Sequence, residues 1–236
     1  MDSINDIGGM APNTRDAIQA YAASKASKEA LEVQAADRHS RTTQFYKDIG
    51  VHAEGDHGSL PIATHDDAEK GLPESERSLD IGYGHKLTDE ERESGEIYGI
   101  SFANGLSDED KGTILNKDME QHAQYARAAG WDAKLKERGS SWDKLDHGFK
   151  LALTSLAYNV GGKKAGATWT SVLDAAVNKD TSAFAKNLRR LNNKKNTAGM
   201  DNRVIKEMFY SGLIKNASEV TGQLPLGNAN HSGVPL

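Results

Sequence analysis

The chain has 236 residues, of which 37% are hydrophobic and 27% are charged, so it can bury a core as one or two soluble domains. Its formal net charge of -5, from 29 basic and 34 acidic residues, argues against a nucleic-acid-binding protein, because such proteins usually carry a dense basic surface. The absence of cysteine excludes disulfide scaffolds, thiol catalysis and zinc sites with cysteine ligands.

The N-terminal 40 residues are polar and rich in Ala, Ser, Lys and Glu. Residues 15–41 predict a helix with strong propensity and a thin apolar face, which favours a solvated extension; a docking or spacer helix is the alternative. The chain lacks the basic start and apolar run of a signal peptide, and no stretch approaches the roughly 18 apolar residues that cross a membrane. We therefore expect a protein made in the cytoplasm, without a membrane span.

The next segment, up to about residue 100, combines a helix end, loops and a strand. Four apolar residues lead into Glu54-Gly55 and predict a short helix that ends at the glycine: Phe45, Ile49, Val51 and Ala53. Residues 56–79 lack periodicity and are rich in Gly, Pro, His and Asp, which indicates loops and turns. Residues 79–85 predict a short strand interrupted by glycines.

Two helix starts follow from local sequence patterns. Thr88 with Glu91, and Ser107 with Asp110, have the form of capping boxes, in which two side chains bond each other's backbone amides. The first box predicts a short helix and the second a longer one.

The clearest helical pattern lies at residues 143–160. Apolar residues recur there at steps of three and one, on one face of a helix that ends at Gly161: Phe149, Ala152, Leu153, Leu156, Ala157 and Val160. Because this helix is so apolar, we expect it to lie at the centre of the hydrophobic core. Two further helices are predicted at residues 182–191 and 200–212.

These elements predict an α+β fold that is mainly helical. A small β-containing lobe would span about residues 45–100, and a helical lobe around the central core helix would span about 105–215. Residues 1–40 would be a helical extension, 41–216 the main domain and 217–236 an irregular tail.

Acidic residues in the small lobe are candidates for glycoside hydrolysis. That reaction needs an acid to protonate the leaving oxygen and a second group to stabilise the transition state or activate water. Glu54 stands where a helix gives way to a loop, and Asp66, Asp67 and Asp80 follow it. In a chain with 34 acidic residues such spacing is by itself a weak signal.

Four segments, in the same order, resemble the phage-type lysozyme family of endolysins and muramidases. Residues 48–55 (DIGVHAEG) are similar to the helix end that carries the family's catalytic Glu-Gly, and residues 81–85 (IGYGH) to its glycine-punctuated strand. Residues 152–161 (ALTSLAYNVG) resemble its core helix with the Tyr-Asn-x-Gly ending. Residues 199–207 resemble its closing Gly-Leu-x-x-Arg…Glu helix. The resemblance covers about residues 45–213.

The resemblance implies a two-lobed lysozyme-like fold that cleaves the β-1,4 bond between N-acetylmuramic acid and N-acetylglucosamine, without cofactor or metal. The family's triad is Glu, Asp and Thr, and its Glu carries over to Glu54. Asp80 stands where the Thr is expected, after a longer interval than the family usually has. The resemblance offers Asp66 or Asp67 as the counterpart of the usual Asp. The second carboxylate is therefore Asp80, or one of Asp66 and Asp67, and a retaining, inverting or transglycosylase mechanism is equally open.

Several other residues have a structural and a functional interpretation. Tyr83, Tyr158 and Asn159 are candidates for contact with substrate in the cleft; for the last two, the turn before Gly161 is a structural alternative. His85 is expected to pair with a buried carboxylate, with a role as second acid as the alternative.

Arg203 and Glu207 stand four residues apart, which predicts an ion pair along a helix. The alternative is that they line the cleft.

The expected function is that of a muramidase acting on peptidoglycan in the periplasm or cell wall, as a phage endolysin or a virion-associated lysozyme. Delivery as an antagonistic effector also fits. The alternative from another class is a catalytically inactive wall-binding or structural protein of a virion or delivery apparatus. The N-terminal helix is the candidate contact for a virion or secretion-apparatus partner, and no nucleic-acid partner is expected.

Overall fold

The computed structural model describes residues 12–63, 69, 71–73, 76–189, 197–216 and 218–221. The chain divides into two units, Met1–Thr42 and Thr43–Leu236. No helix in the described ranges is both long and apolar enough to cross a membrane.

Helix α1 extends over Pro12–Ile49 and continues into a π-helical turn, Gly50–Glu54. The sequence predicted two helices here, and this is a correction: no glycine or proline interrupts the chain between them, so the backbone hydrogen bonds continue. In the first unit the described side chains from residue 23 to residue 41 are exposed. The helix predicted for residues 15–41 is therefore confirmed.

The π-helical turn ends at Gly55, whose φ of 85° lies in the left-handed region. The predicted helix end is thus confirmed. The turn packs closely against its neighbours, because a Cβ at Gly50 would lie 2.8 Å from Leu115 and 2.9 Å from Tyr83.

Two small antiparallel sheets follow. Strands β1 (Ile62–Ala63), β2 (Leu79–Ile81) and β3 (His85–Lys86) form a sheet in that order, and strands β4 (Glu96–Ile97) and β5 (Ile100–Ser101) form a hairpin. The single strand predicted for residues 79–85 is instead two strands. Its glycines allow the chain to reverse, so that Ile81 is paired with His85.

The remaining described elements are helical. The two short turns are Arg127–Trp131 (π) and Trp142–Lys144 (3₁₀). The α-helices are α2 (Asp89–Ser94), α3 (Asp108–Ala126), α4 (Asp132–Glu137), α5 (His147–Val160), α6 (Gly162–Thr168), α7 (Ser171–Val177), α8 (Thr181–Leu188), α9 (Thr197–Tyr210) and α10 (Ser218–Thr221).

Most helix predictions are confirmed. Both capping boxes form, at the starts of α2 and α3. The central core helix is α5, in which every residue from Leu151 to Ala157 is buried. The two later predicted helices are α8 and α9, displaced by one to three residues. Helices α4, α6 and α7 were not predicted, because they are only six or seven residues long.

Helix α3 connects three hydrophobic clusters. Ile114 packs in the cluster under the small sheets, Leu115 and Met119 pack against the end of α1, and Ala126 packs in the large helical core around α5. The protein is therefore mainly helical with a small antiparallel β region, as predicted, and α3 lies between the two kinds of structure.

Candidate active site

A cleft of about 820 Å³ lies in the second unit, beside α3. Its wall draws on separate parts of the chain: Glu54 after α1, Tyr83 and His85 around the β2–β3 turn, Asp118 on α3, and Tyr158 and Asn159 at the end of α5. The cleft thus combines carboxylates, histidines and tyrosines on one surface.

Glu54 is held at this surface by an ion pair with Arg203 of α9. Both oxygens of the carboxylate accept hydrogen bonds from the guanidinium, and Nη1 lies 3.2 Å from Oε2. Nη1 also lies 3.5 Å from the carbonyl oxygen of Ala53. Each of the two charged side chains is 10% exposed. The carboxyl group therefore has a fixed position at the edge of the core.

Arg203 has a second partner in Glu207, one turn further along α9. Nε donates to Glu207 Oε1 at 3.2 Å, and the same oxygen accepts from Ser155 Oγ of α5 at 2.6 Å. Burial opposes the charge of Arg203, but Glu54 and Glu207 outweigh it and raise the pKa of Arg203. The predicted ion pair along the helix is confirmed. Its contact with Glu54 was not predicted.

Tyr158 connects the core helix to the β2–β3 turn. Its hydroxyl donates to the carbonyl oxygen of Tyr83 at 3.0 Å. Burial, followed by the charges of Glu54 and Asp118, raises the pKa of Tyr158 well above its ordinary value. The hydroxyl therefore remains a donor at neutral pH. Tyr83 is buried and Asn159 exposed, and the three predicted substrate-contact residues all lie at the wall of the cleft.

Asp80 lies in the middle of β2 and is 7% exposed. Its Oδ2 is 3.9 Å from Nδ1 of His57, and His57 is part of the cleft wall. A Cβ at Gly84 would lie 3.8 Å from Nε2 of His57 and 3.6 Å from the Tyr158 hydroxyl, so both groups border the same point. His57 was not predicted as a site residue, although it follows Glu54 by three positions.

The other two candidate carboxylates, Asp66 and Asp67, lie outside the described residues. Within the described part of the chain, no group of three or more His, Asp or Glu side chains could hold a metal ion.

His85 forms a second network across the cleft wall. Nδ1 lies 2.8 Å from Asp118 Oδ2, and Nε2 lies 3.1 Å from Glu91 Oε2. The Tyr98 hydroxyl donates to the other oxygen of Asp118 at 2.7 Å. Burial alone would lower the pKa of His85, but the two carboxylates raise it. The predicted pairing of His85 with a buried carboxylate is confirmed.

Residues 48–55, 81–85, 152–161 and 199–207 all contribute side chains to this cleft or to the ion pair with Glu54. They contribute Glu54, the pair Tyr83 and His85, the pair Tyr158 and Asn159, and Arg203. No protein-family model matches the chain, and no curated protein matches it either. A function is therefore inferred from the geometry and chemistry of the cleft.

Proposed function

We propose that this protein is a muramidase of the phage-type lysozyme kind, with a lysozyme-like fold, that hydrolyses the β-1,4 bond between N-acetylmuramic acid and N-acetylglucosamine in peptidoglycan. The observation that carries the proposal is the position of Glu54. It lies in the wall of a cleft and is paired with Arg203, and both residues belong to segments that resemble the family. The cleft wall also offers tyrosine rings and polar groups suited to sugars.

In this proposal Glu54 is the general acid. Its proton passes to the glycosidic oxygen of the leaving sugar, and the bond from C1 to that oxygen breaks with both electrons going to the oxygen. Water adds to C1 and gives up a proton to the second carboxylate, and exchange with solvent returns both groups to their starting states. Tyr158 supports this geometry, because its hydroxyl holds the β2–β3 turn beside the acid.

In this proposal the second group is Asp80, whose Oδ2 lies 3.9 Å from Nδ1 of His57, a residue of the cleft wall. Since Asp80 is buried, the proton of the water reaches its carboxylate through that imidazole. Asp80→Asn is compared with Asp66→Asn and Asp67→Asn to test this assignment. A larger loss of activity in either of the last two would transfer the role.

The proposed setting is the periplasm or cell wall, where the protein would act as an endolysin or a virion-associated lysozyme. The exposed helix of the first unit is the candidate attachment to a virion or delivery apparatus.

The test is release of reducing ends from isolated peptidoglycan by purified protein, beside Glu54→Gln. Loss of a general acid typically lowers the rate about 10²–10⁴-fold. Asp174→Asn is the matched control, because it also removes a carboxylate from an arginine pair, with Arg138, outside the cleft.

Release by the wild type and the control, but not by Glu54→Gln, is the expected result. No release by folded wild-type protein that sediments with peptidoglycan would favour the wall-binding alternative. Release by all three proteins would assign the acid to another residue.

A further inference from the structure

Two exposed tyrosines line the cleft and have no role in the proposed reaction. Tyr98 is 38% exposed and Tyr125 is 43% exposed, and neither was predicted as a site residue. We call them the tyrosine pair. Exposed rings in a concave surface are typical of ligand sites, because a bound ligand covers the apolar area that they present to water. The tyrosine pair is therefore a candidate for contact with substrate.

Tyr98 is held in a backbone conformation that a bulky side chain does not favour. It is the first of two residues that join β4 to β5, since Ile97 is paired with Ile100. Tyr98 has a φ of 53° and Gly99 a φ of 80°, which together are typical of a type I′ turn. Asn, Asp and Gly are preferred at the first position of such a turn, and a bulky residue there is an outlier. The turn itself therefore gives no reason for a tyrosine, whereas contact with a ligand in the cleft does.

Two contacts fix the ring of Tyr98 in the cleft wall. Its hydroxyl donates to Asp118 of α3 at 2.7 Å, and the ammonium group of Lys117 lies 5.1 Å from the ring centroid. Tyr125 stands seven positions after Asp118 on the same face of α3, which is about 10 Å along the helix. The tyrosine pair therefore offers ring contacts at two separate points along one wall.

His122, another ring of this wall, has a fixed hydrogen-bond donor. Its Nδ1 accepts from the backbone amide of Gly162 at 3.2 Å. An imidazole whose Nδ1 accepts a hydrogen bond is neutral and carries its proton at Nε2, from which it can donate. The ring also contacts those of Tyr125 and Tyr158, with centroids 6.2 Å and 5.4 Å away. Rings beside a neutral donor suit a sugar with an N-acetyl group, whose carbonyl oxygen is an acceptor.

The charges of the wall favour a neutral ligand over an anionic one. Lysine and histidine cations in the described wall already have carboxylate partners, since Lys86 lies 3.6 Å from Glu69, and His85 is paired with Asp118 and Glu91. An anionic group would have to compete with these carboxylates. N-acetylglucosamine carries no charge, whereas the peptides of peptidoglycan carry carboxylates.

We propose that the tyrosine pair binds neutral N-acetylated sugar rings of the glycan strand by contact with the ring faces of Tyr98 and Tyr125. The proposal rests on the proposed function, since it names the part of peptidoglycan that the same cleft recognises. Because the contact uses ring faces, phenylalanine can replace either tyrosine, and a side chain without a ring cannot.

The first experiment measures by calorimetry the affinity for the β-1,4-linked tetramer of N-acetylglucosamine, a neutral probe. The proteins are the wild type, Tyr98→Phe, Tyr98→Asn, Tyr125→Phe and Tyr125→Ala. Tyr98→Phe and Tyr98→Asn both lack the hydroxyl, and asparagine suits the turn, so their difference reports on the ring. We expect Tyr98→Asn and Tyr125→Ala to bind roughly 2- to 12-fold more weakly than the phenylalanine variants, the usual effect of one aromatic contact.

Two results of this titration would overturn the proposal. One is equal affinity of the phenylalanine variants and of those without the ring. The other is no binding by the folded wild-type protein up to the solubility limit of the tetramer.

The second experiment measures KM and kcat for release of reducing ends from peptidoglycan. Tyr98→Asn and Tyr125→Ala are expected to raise KM more than they lower kcat, because a ring contact away from the reacting atoms contributes to binding in both the ground state and the transition state. Asp174→Asn should keep both values. Release with an unchanged KM in both ring variants would overturn the proposal and leave the muramidase function intact. A protein that binds the tetramer through its tyrosine pair but releases no reducing ends would contradict the muramidase function and support the proposed binding.

Discussion

Two charge networks border the same cleft and differ in their cation. In one, Arg203 lies between Glu54 and Glu207; in the other, His85 lies between Asp118 and Glu91. Each cation has two carboxylate partners. Hydroxyl groups donate to these carboxylates in both networks: Ser155 in the first, and Tyr98 and Thr88 in the second. The guanidinium keeps its charge at every pH a protein tolerates, whereas the imidazole loses its charge within a few units of neutrality.

This difference assigns a different task to each network. A permanent cation holds the carboxylate of Glu54 in place at every pH that the fold tolerates. A titrating cation couples the stability of the wall around His85 to pH. The hydroxyl donors differ too, since Ser155 is fully buried and Tyr98 is 38% exposed.

The largest expected effect comes from Arg203→Met, which removes the buried cation and leaves two carboxylates without it. Removal of one partner of a buried ion pair lowers the free energy of unfolding by about 3–5 kcal/mol. Urea unfolding at pH 7 measures this loss, with Arg138→Met as the control. The Arg138–Asp174 pair is more exposed, with Asp174 54% exposed, so its loss should cost less than about 1 kcal/mol. Equal costs for the two variants would contradict a buried role for Arg203.

The sequence predicts the local features of this region better than the long-range ones. Capping boxes and the apolar periodicity of α5 depend on residues within a few positions of one another, and both were confirmed. The ion pair between Glu54 and Arg203 joins residues 149 positions apart, and no local pattern encodes it.

Two other features were missed for related physical reasons. Residues 79–85 were predicted as one strand but form a hairpin, because glycines that interrupt a strand can equally reverse the chain. His57 was not predicted as a site residue, because its distance from Asp80 depends on how a loop lies against β2.

The pH dependence of stability should separate the two networks. The raised pKa of His85 means that the folded state binds its proton more tightly, so this contribution is fully present below the unfolded pKa of about 6.5 and is lost as pH rises through the folded pKa. Asp118→Asn should therefore cost about 1.5–3 kcal/mol at pH 5.5, the usual value for hydrogen bonds to charged groups, and less at pH 9.

Unfolding curves between pH 5 and 9 test this prediction, with Arg203→Met as the comparison. The cost of Arg203→Met should not show the fall above pH 6.5 that is expected for Asp118→Asn, because the guanidinium keeps its charge. An Asp118→Asn cost that stays constant up to pH 9 would mean that the charge on His85 adds nothing to stability.

The smallest expected loss is that of Tyr98→Phe, which we compare with the removal of one hydroxyl donor from the other network. Ser155 donates to Glu207 at 2.6 Å, and Tyr98 donates to Asp118 at 2.7 Å. Each substitution, Ser155→Ala or Tyr98→Phe, therefore removes one hydroxyl group and the hydrogen bond that it donates. Water can replace the hydroxyl of Tyr98, which borders the cleft, but not that of Ser155. We expect losses of about 0.5–1.5 kcal/mol for Tyr98→Phe and about 1.5–3 kcal/mol for Ser155→Ala, measured by urea unfolding at pH 6. The reverse order would mean that water reaches the core around Glu207 and replaces the hydroxyl of Ser155.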